Sequence, residues 1–162
     1  MLGIFIDIEA TGLDPYRHRC LEVAIELYDL TTMQFVDSYE QIVRQPKEVW
    51  VRSDPESLQV NGFTWEQCCS GKEESVVATE IRNFLCRHEI RRKHAVFIAQ
   101  NSSFDRAFLG QLISPYEQES LNWPYHWLDL ASMYWGRNLH YYAERSILDI
   151  QRIIAAGAAF VD

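Results

Sequence analysis

The sequence predicts a single α/β domain, residues 1–162, built on a mixed central sheet with flanking helices. Strand-like stretches come first, at 4–9, 20–28 and 35–43. Helix and strand patterns then alternate, at 73–88, 95–99 and 104–113. Consecutive strands followed by alternation are the pattern of an antiparallel meander feeding a mixed sheet. No internal repeat, linker or low-complexity segment divides the chain. Its 48% apolar and 13% aromatic content suits a globular core.

The first stretch, 4–14, opens as a short run of β-prone apolar residues interrupted by Asp7 and Glu9. Side chains on a strand alternate faces, so both acids project from the same one. Ile and Phe neighbours argue for a buried setting, where adjacent negative charges need a positive partner. A hard divalent cation is the simplest such partner; a half-exposed edge strand with its acids in water is the alternative. Thr11, Gly12, Leu13, Asp14 and Pro15 then turn the chain, with Gly12 free to take positive φ.

Residues 20–28 alternate imperfectly and read as a second strand. Thr31, Thr32 and Met33 turn into a third at 35–43. Residues 45–62 hold Pro46, Pro55, Asn61 and Gly62 and read as a long connection. Thr64 with Glu66 and Gln67 predicts the cap of a short helix. The clearest helix is 73–88, with Val76, Val77, Ile81, Phe84 and Leu85 at helical spacing. Arg91, Arg92 and Lys93 read as a solvated basic loop, with phosphate attraction as the alternative. Residues 95–99 form a buried strand. Helical spacing runs from Phe104 to Ile113 and stops before Pro115. A brief apolar step at 127–130 precedes two further helical stretches reaching Gly157.

A net charge of −8 and a pI near 5.1 disfavour a surface that wraps long duplex. That balance favours short single-stranded ends, with bound metals offsetting local charge. Cys20, Cys68, Cys69 and Cys86 lack metal-ligand spacing and read as free thiols of a reducing compartment. No apolar run reaches the length of a membrane span, and the N-terminus lacks a leader pattern, so a cytoplasmic protein is expected.

Residues 97–109 carry the next acid. A strand ends, Asn101, Ser102 and Ser103 turn the chain, and Asp105 falls in the first turn of a helix. A capping acid favoured by the helix dipole would have that placement too. With Asp7 and Glu9 already placed, however, the string resembles the second motif of the DnaQ-like 3′–5′ exonucleases, the superfamily of Asp-Glu-Asp-Asp carboxylates. Asn101, Phe104, Arg106 and Leu109 surround the acid as in that motif. The stretch 4–14 resembles the first motif. Its extension through Arg19, with 21–24, is similar to the oligoribonuclease branch.

The resemblance implies a ribonuclease-H-like fold and phosphodiester hydrolysis with two Mg²⁺ or Mn²⁺ ions. It implies that Asp7 bridges both ions, that Glu9 and a last Asp hold one, and that Asp105 holds the other. It also implies that backbone around Ala10 and Thr11 meets a terminal 3′-hydroxyl, and that Leu13 and Phe104 pack on terminal bases, with Asn101 beside them.

The best match to the third motif is 144–150, with Asp149 in the metal position. Glu144 stands where the family carries its His, and Arg145 where the sister branch has Tyr. Three readings follow: Glu144 is the base, His140 serves instead, or the segment is a structural helix striped by Ile147, Ile150 and Ile154. The late aromatics Trp123, Trp127, Tyr134, Trp135, Tyr141 and Tyr142 read as core or dimer packing, with base stacking as the alternative. The expectation is a metal-dependent 3′–5′ exonuclease on single-stranded DNA or short RNA, with no membrane contact. A homodimer and a polymerase contact are candidate partnerships. The competing classes are a nucleic-acid-binding pseudo-enzyme and a proofreading subunit.

Overall fold

Strand β1 (Leu2–Ala10) sits at the centre of the sheet because its alternate residues Ile4, Ile6, Ile8 and Ala10 all seek burial. The computed structural model describes residues 1–143, and side chains up to residue 138. β2 (Cys20–Asp29) pairs antiparallel with β1, from Leu2 opposite Asp29 to Ala10 opposite Cys20. β3 (Gln34–Ile42) pairs antiparallel with β2 and forms an edge. On the other side, β4 (Ala95–Ala99) runs parallel to β1, and β5 (Trp127–Asp129) parallel to β4. The order is therefore β3-β2-β1-β4-β5, the mixed sheet expected from the sequence. All five residues of β4 are buried, as suits a strand covered on both faces.

The stretch 45–62 is not an irregular connection. It holds α1 (Lys47–Trp50) and α2 (Pro55–Asn61). Pro55 opens α2 at a position that needs no amide hydrogen bond. Asp54 caps it by accepting the Glu56 N–H, and Gly62 closes it with φ 72°. Helix α3 (Trp65–Ser70) carries the predicted capping box between Thr64 and Gln67. α4 (Glu74–Arg87) buries Val77, Ala78, Ile81, Phe84 and Leu85, leaving Val76 outside the stripe. α5 (Ser102–Leu112) follows β4 and buries Phe108, Leu109 and Leu112. Pro115, expected only to end a helix, also starts α6 (Pro115–Ser120), capped by the Ser114 hydroxyl.

Residues Met1–Asp129 form one compact unit. α7 (Leu130–Ala143) belongs to a second, which begins at Leu130. Trp123 is a core residue of the first unit and Trp127 packs half-buried against that core, stacked on Phe97 at 4.5 Å between ring centres, whereas Tyr134 and Trp135 are exposed on α7. The basic loop is only partly a solvated one: Arg92 pairs with Glu119 and lies over the Tyr125 ring. All four cysteines are free thiols. Among the described residues no helix is long and apolar enough to cross a membrane.

Candidate active site

Period-two alternation on β1 sends the isoleucines to one face and Asp7 and Glu9 to the other. That corrects the buried setting inferred for the pair. Asp7 is exposed and Glu9 half-buried, because their apolar neighbours occupy the opposite face of the strand. The acid that is buried is Asp105, only 3% exposed. β1 outruns its pairing with β4, which ends at Phe5 opposite Ile98. Further along β1, the Ile8 N–H donates instead to Asp105 Oδ1 at 3.0 Å, tying α5 to β1 beside the two strand acids.

Asp105 does not cap its helix. The Ser102 N–H at the start of α5 donates to Asp129 Oδ2 at 2.9 Å, so the acid at the end of β5 takes that role. Asn101 precedes the helix and accepts a hydrogen bond from the Ser103 hydroxyl at 2.8 Å. The part played by Asp129 was missed in the sequence, although an acid closing an apolar step was a signal for it.

The carboxylates feel one another. Burial, then the charges of Asp7 and Glu9, push Asp105 up to about 6, against the lowering effect of the Ile8 N–H. Burial and Asp7 likewise raise Glu9, opposed by a hydrogen bond from Asn61. Glu22, directly across from Glu9 on β2, is raised by burial and by Glu40, Glu9 and Asp7.

The turn after β1 is held by its own polar groups. Thr11 is fully buried; its N–H donates to Arg19 O, its hydroxyl accepts the Arg19 N–H at 3.0 Å, and its carbonyl accepts from Asp54 N. Ala10 O accepts from Asn61 Nδ2 at 3.1 Å. Gly12 does not adopt positive φ; among the described glycines only Gly62 does. What requires glycine at position 12 is close approach: a Cβ there would fall 2.4 Å from the His18 ring.

Outside this turn lies a cleft of about 270 Å³, lined by Glu9, Leu13, Asp54, Val60, Asn61 and Phe104 among others. Leu13 is 75% exposed, and together with Phe104 it gives the cleft apolar walls next to an acid. Helix α2 supplies the side with Val60 and Asn61. Sequence reasoning missed that wall because short helices carry too little periodicity to register. Glu144 and Asp149 lie outside the described residues, and so does the side chain of His140.

A carboxylate cluster thus lies between the end of β1 and the start of α5, with an apolar-walled cleft alongside. The family model for an exonuclease domain, RNase T, matches residues 4–150. The chain belongs to the RNase T exonuclease family. Its class is that of the DnaQ-like 3′–5′ exonucleases, as the two motifs indicated, and its mixed sheet is the ribonuclease-H-like fold.

Among solved structures, this exonuclease domain is similar to Escherichia coli Exonuclease I in complex with a dT13 oligonucleotide. The TM-score is 0.66 at 16% identity, over 80% of this chain and 28% of that one. A moderately thermophilic Exonuclease I from Methylocaldum szegediense matches with TM-score 0.66 and 21% identity, over 82% and 28% of the two chains. A full-length 3′-exonuclease matches at 0.53 and 19%, over 62% and 34%. The chain thus spans under a third of the length of the Exonuclease I proteins it resembles. At these identities the likeness is one of fold. No curated protein sequence matches the chain.

The family generally uses divalent metal ions. The donors present fit that use in kind: Asp7, Glu9 and Asp105 offer only hard carboxylate oxygens, and their mutual repulsion is what a divalent cation would relieve. Among the described residues, no three His, Cys, Asp or Glu side chains gather closely enough to complete an ion site on their own.

Proposed function

We propose that this domain, spanning residues 1–162, removes nucleotides one at a time from the free 3′ end of single-stranded nucleic acid in the cytoplasm. The observation that supports it most is the bond from Ile8 N–H to Asp105, which sets a buried carboxylate beside Asp7 and Glu9 at the edge of the Leu13–Phe104 cleft. The oligonucleotide held by Exonuclease I, dT13, favours single-stranded DNA as the substrate to try first. Contacts with a second copy or with a polymerase remain proposals from the sequence alone.

Asp7, Glu9, Asp105 and, by sequence, Asp149 would hold two Mg²⁺ or Mn²⁺ ions. When bound, such ions lower the pKa of water and neutralise charge on the leaving oxygen. The protein's own residues do the rest. Leu13 and Phe104 pack against the terminal base, and the Ala10–Thr11 turn, fixed from within by Arg19, Asp54 and Asn61, presents a rigid edge to the terminal sugar. Asn101 and Ser103 order the start of α5 next to Asp105. Glu144 accepts the proton released from the attacking water.

Polarity provides the direct test. On a labelled dT12 with Mg²⁺, products should shorten by single nucleotides from the 3′ end, and a 3′-phosphate or a closed circle should resist. Equal cutting of a circle and a free 3′ end would overturn the reading.

The base assignment predicts a slow wild type. An ordinary Glu titrates near 4.3, well below the pKa of about 6.5 that suits His to work at neutral pH. Glu144→His should raise turnover and bring a new pH dependence near neutrality, within the 10²–10⁴-fold that general acid–base catalysis typically supplies. Coincident rate–pH profiles for wild type, Glu144→His and Glu144→Ala would remove Glu144 from the mechanism.

A further inference from the structure

Beyond the cleft that takes the terminal nucleotide lies a second groove, of about 520 Å³, lined by Pro15, Tyr16, Ser103, Arg106, Gln111 and Pro115 among others. We propose that Tyr16 and Arg106 form a subsite for the strand upstream of the scissile bond, Tyr16 stacking on a base and Arg106 meeting a phosphate. The proposal rests on the exonuclease reading and adds to it where the rest of the strand lies.

Continuity is the first argument. The same two elements wall both depressions. The turn after β1 gives Leu13 to the cleft and Pro15 and Tyr16 to the groove, while α5 gives Phe104 to the cleft and Ser103 and Arg106 to the groove. The groove is thus where we place the strand behind a last base held between Leu13 and Phe104.

Tyr16 is 93% exposed, yet its backbone is fixed. Its N–H donates to Asp14 Oδ1 at 2.9 Å, and the Arg17 and His18 amides both donate to Asp14 O. From α5, the Gln111 Nε2 amide donates to Pro15 O at 2.6 Å and His18 O at 2.9 Å, clamping the loop on either side of Tyr16. An aromatic ring held in water on a clamped backbone pays little ordering entropy when a base stacks on it.

Charge is the third argument. The chain carries a net −8, and Arg44, Lys72, Arg82, Arg87 and Arg92 are each engaged with a carboxylate. Arg106 is exposed and, like Arg17, Arg19, Lys47, Arg52, Arg91 and Lys93, forms no ion pair among the described residues; what singles it out is its place on the groove wall beside Tyr16. A cation left unpaired beside a solvent-facing tyrosine, in an acidic protein, complements a polyanion with stacking bases.

Binding of fluorescein-labelled dT12, read by anisotropy in EDTA, tests the subsite without hydrolysis. Tyr16→Ala and Arg106→Ala should each weaken binding by about tenfold, the scale of one stacked base or one phosphate contact. Arg106→Ala should also reduce the slope of log Kd against log salt by about 0.7, the share of one phosphate on a single strand. Tyr16→Phe should restore stacking, and Arg106→Lys the salt slope. In the hydrolysis assay with Mg²⁺, KM should fall as the substrate lengthens from dT2 to dT6 in the wild type, and the two alanine variants should lose that gain. Unchanged Kd and an unchanged salt slope in both alanine variants would overturn the subsite and leave the patch as a protein-facing surface. Binding that responds as expected, in a wild type that releases no nucleotide, would instead reject the exonuclease reading and keep the subsite.

Discussion

Asp105→Asn is expected to lower hydrolysis of a single-stranded oligonucleotide by on the order of 10³-fold, the rate equivalent of about 4 kcal/mol of lost transition-state stabilisation. Asn keeps the shape of Asp and can still accept the Ile8 N–H through its amide oxygen, so the tie between α5 and β1 survives. What it loses is the negative charge in the cluster, and with it one of the carboxylates proposed to hold a divalent ion. Asp7→Asn should have an effect of the same size with an even milder structural consequence, because Asp7 is exposed on the outward face of β1. The check is a single-turnover rate on a labelled oligonucleotide at saturating Mg²⁺, with circular dichroism showing both variants folded. Wild-type rates in either variant would sink the carboxylate assignment.

The contrast between these two acids shows which parts of the site could be read from the chain. That Asp7 and Glu9 share a face follows from the two-residue period of a strand, and the structure keeps them together. Which face they share does not follow, because Ile and Phe neighbours are equally compatible with acids on either side of the sheet. Asp105 was legible through its motif, but its burial depends on β1 outrunning β4, a matter of register that no local pattern encodes. Gly12 was legible as a constraint and misread in kind, since the His18 ring that crowds it arrives only when the turn closes.

Strands β1 and β2 and helix α4 could be placed closely because each repeats its apolar period several times. The short helix α2 repeats its period barely twice, so only its ends spoke for it. Asp54 and Pro55 at the start and Gly62 at the finish are sufficient signals, but Pro55 and Gly62 read equally well as turn residues and Asp54 carries no signal without them. The cost of that misreading was functional, since α2 brings Val60 and Asn61 to the cleft. The stretch 144–150, read from sequence as the third motif with Glu144 and Asp149 or else as a structural helix, falls outside the described residues.

Stripped of metal, the domain should lose stability as pH rises from about 4 to 6 by the part that Asp105 contributes. In the folded chain burial and the charges of Asp7 and Glu9 hold this carboxyl at about 6, above its ordinary 3.8. Between those values the folded state keeps a proton that the unfolded chain has released, so raising the pH favours unfolding. The full penalty, about 2–3 kcal/mol for a shift of this size, is present above the folded value and absent below the ordinary one. Glu9 and Glu22 are raised too and add to the same trend. Asp105→Asn carries no such charge, so in EDTA at pH 7 it should melt about 5–10 °C above the wild type, and the gap should close toward pH 4. Taking the difference between the two proteins cancels the other groups that titrate over the range. Divalent metal should narrow the gap at pH 7 from the wild-type side, because a bound cation stabilises the ionised carboxylate that the metal-free fold penalises. A melting difference that is flat from pH 4 to 7 in EDTA would show that Asp105 folds without electrostatic cost, and would remove the reason for placing a cation beside it.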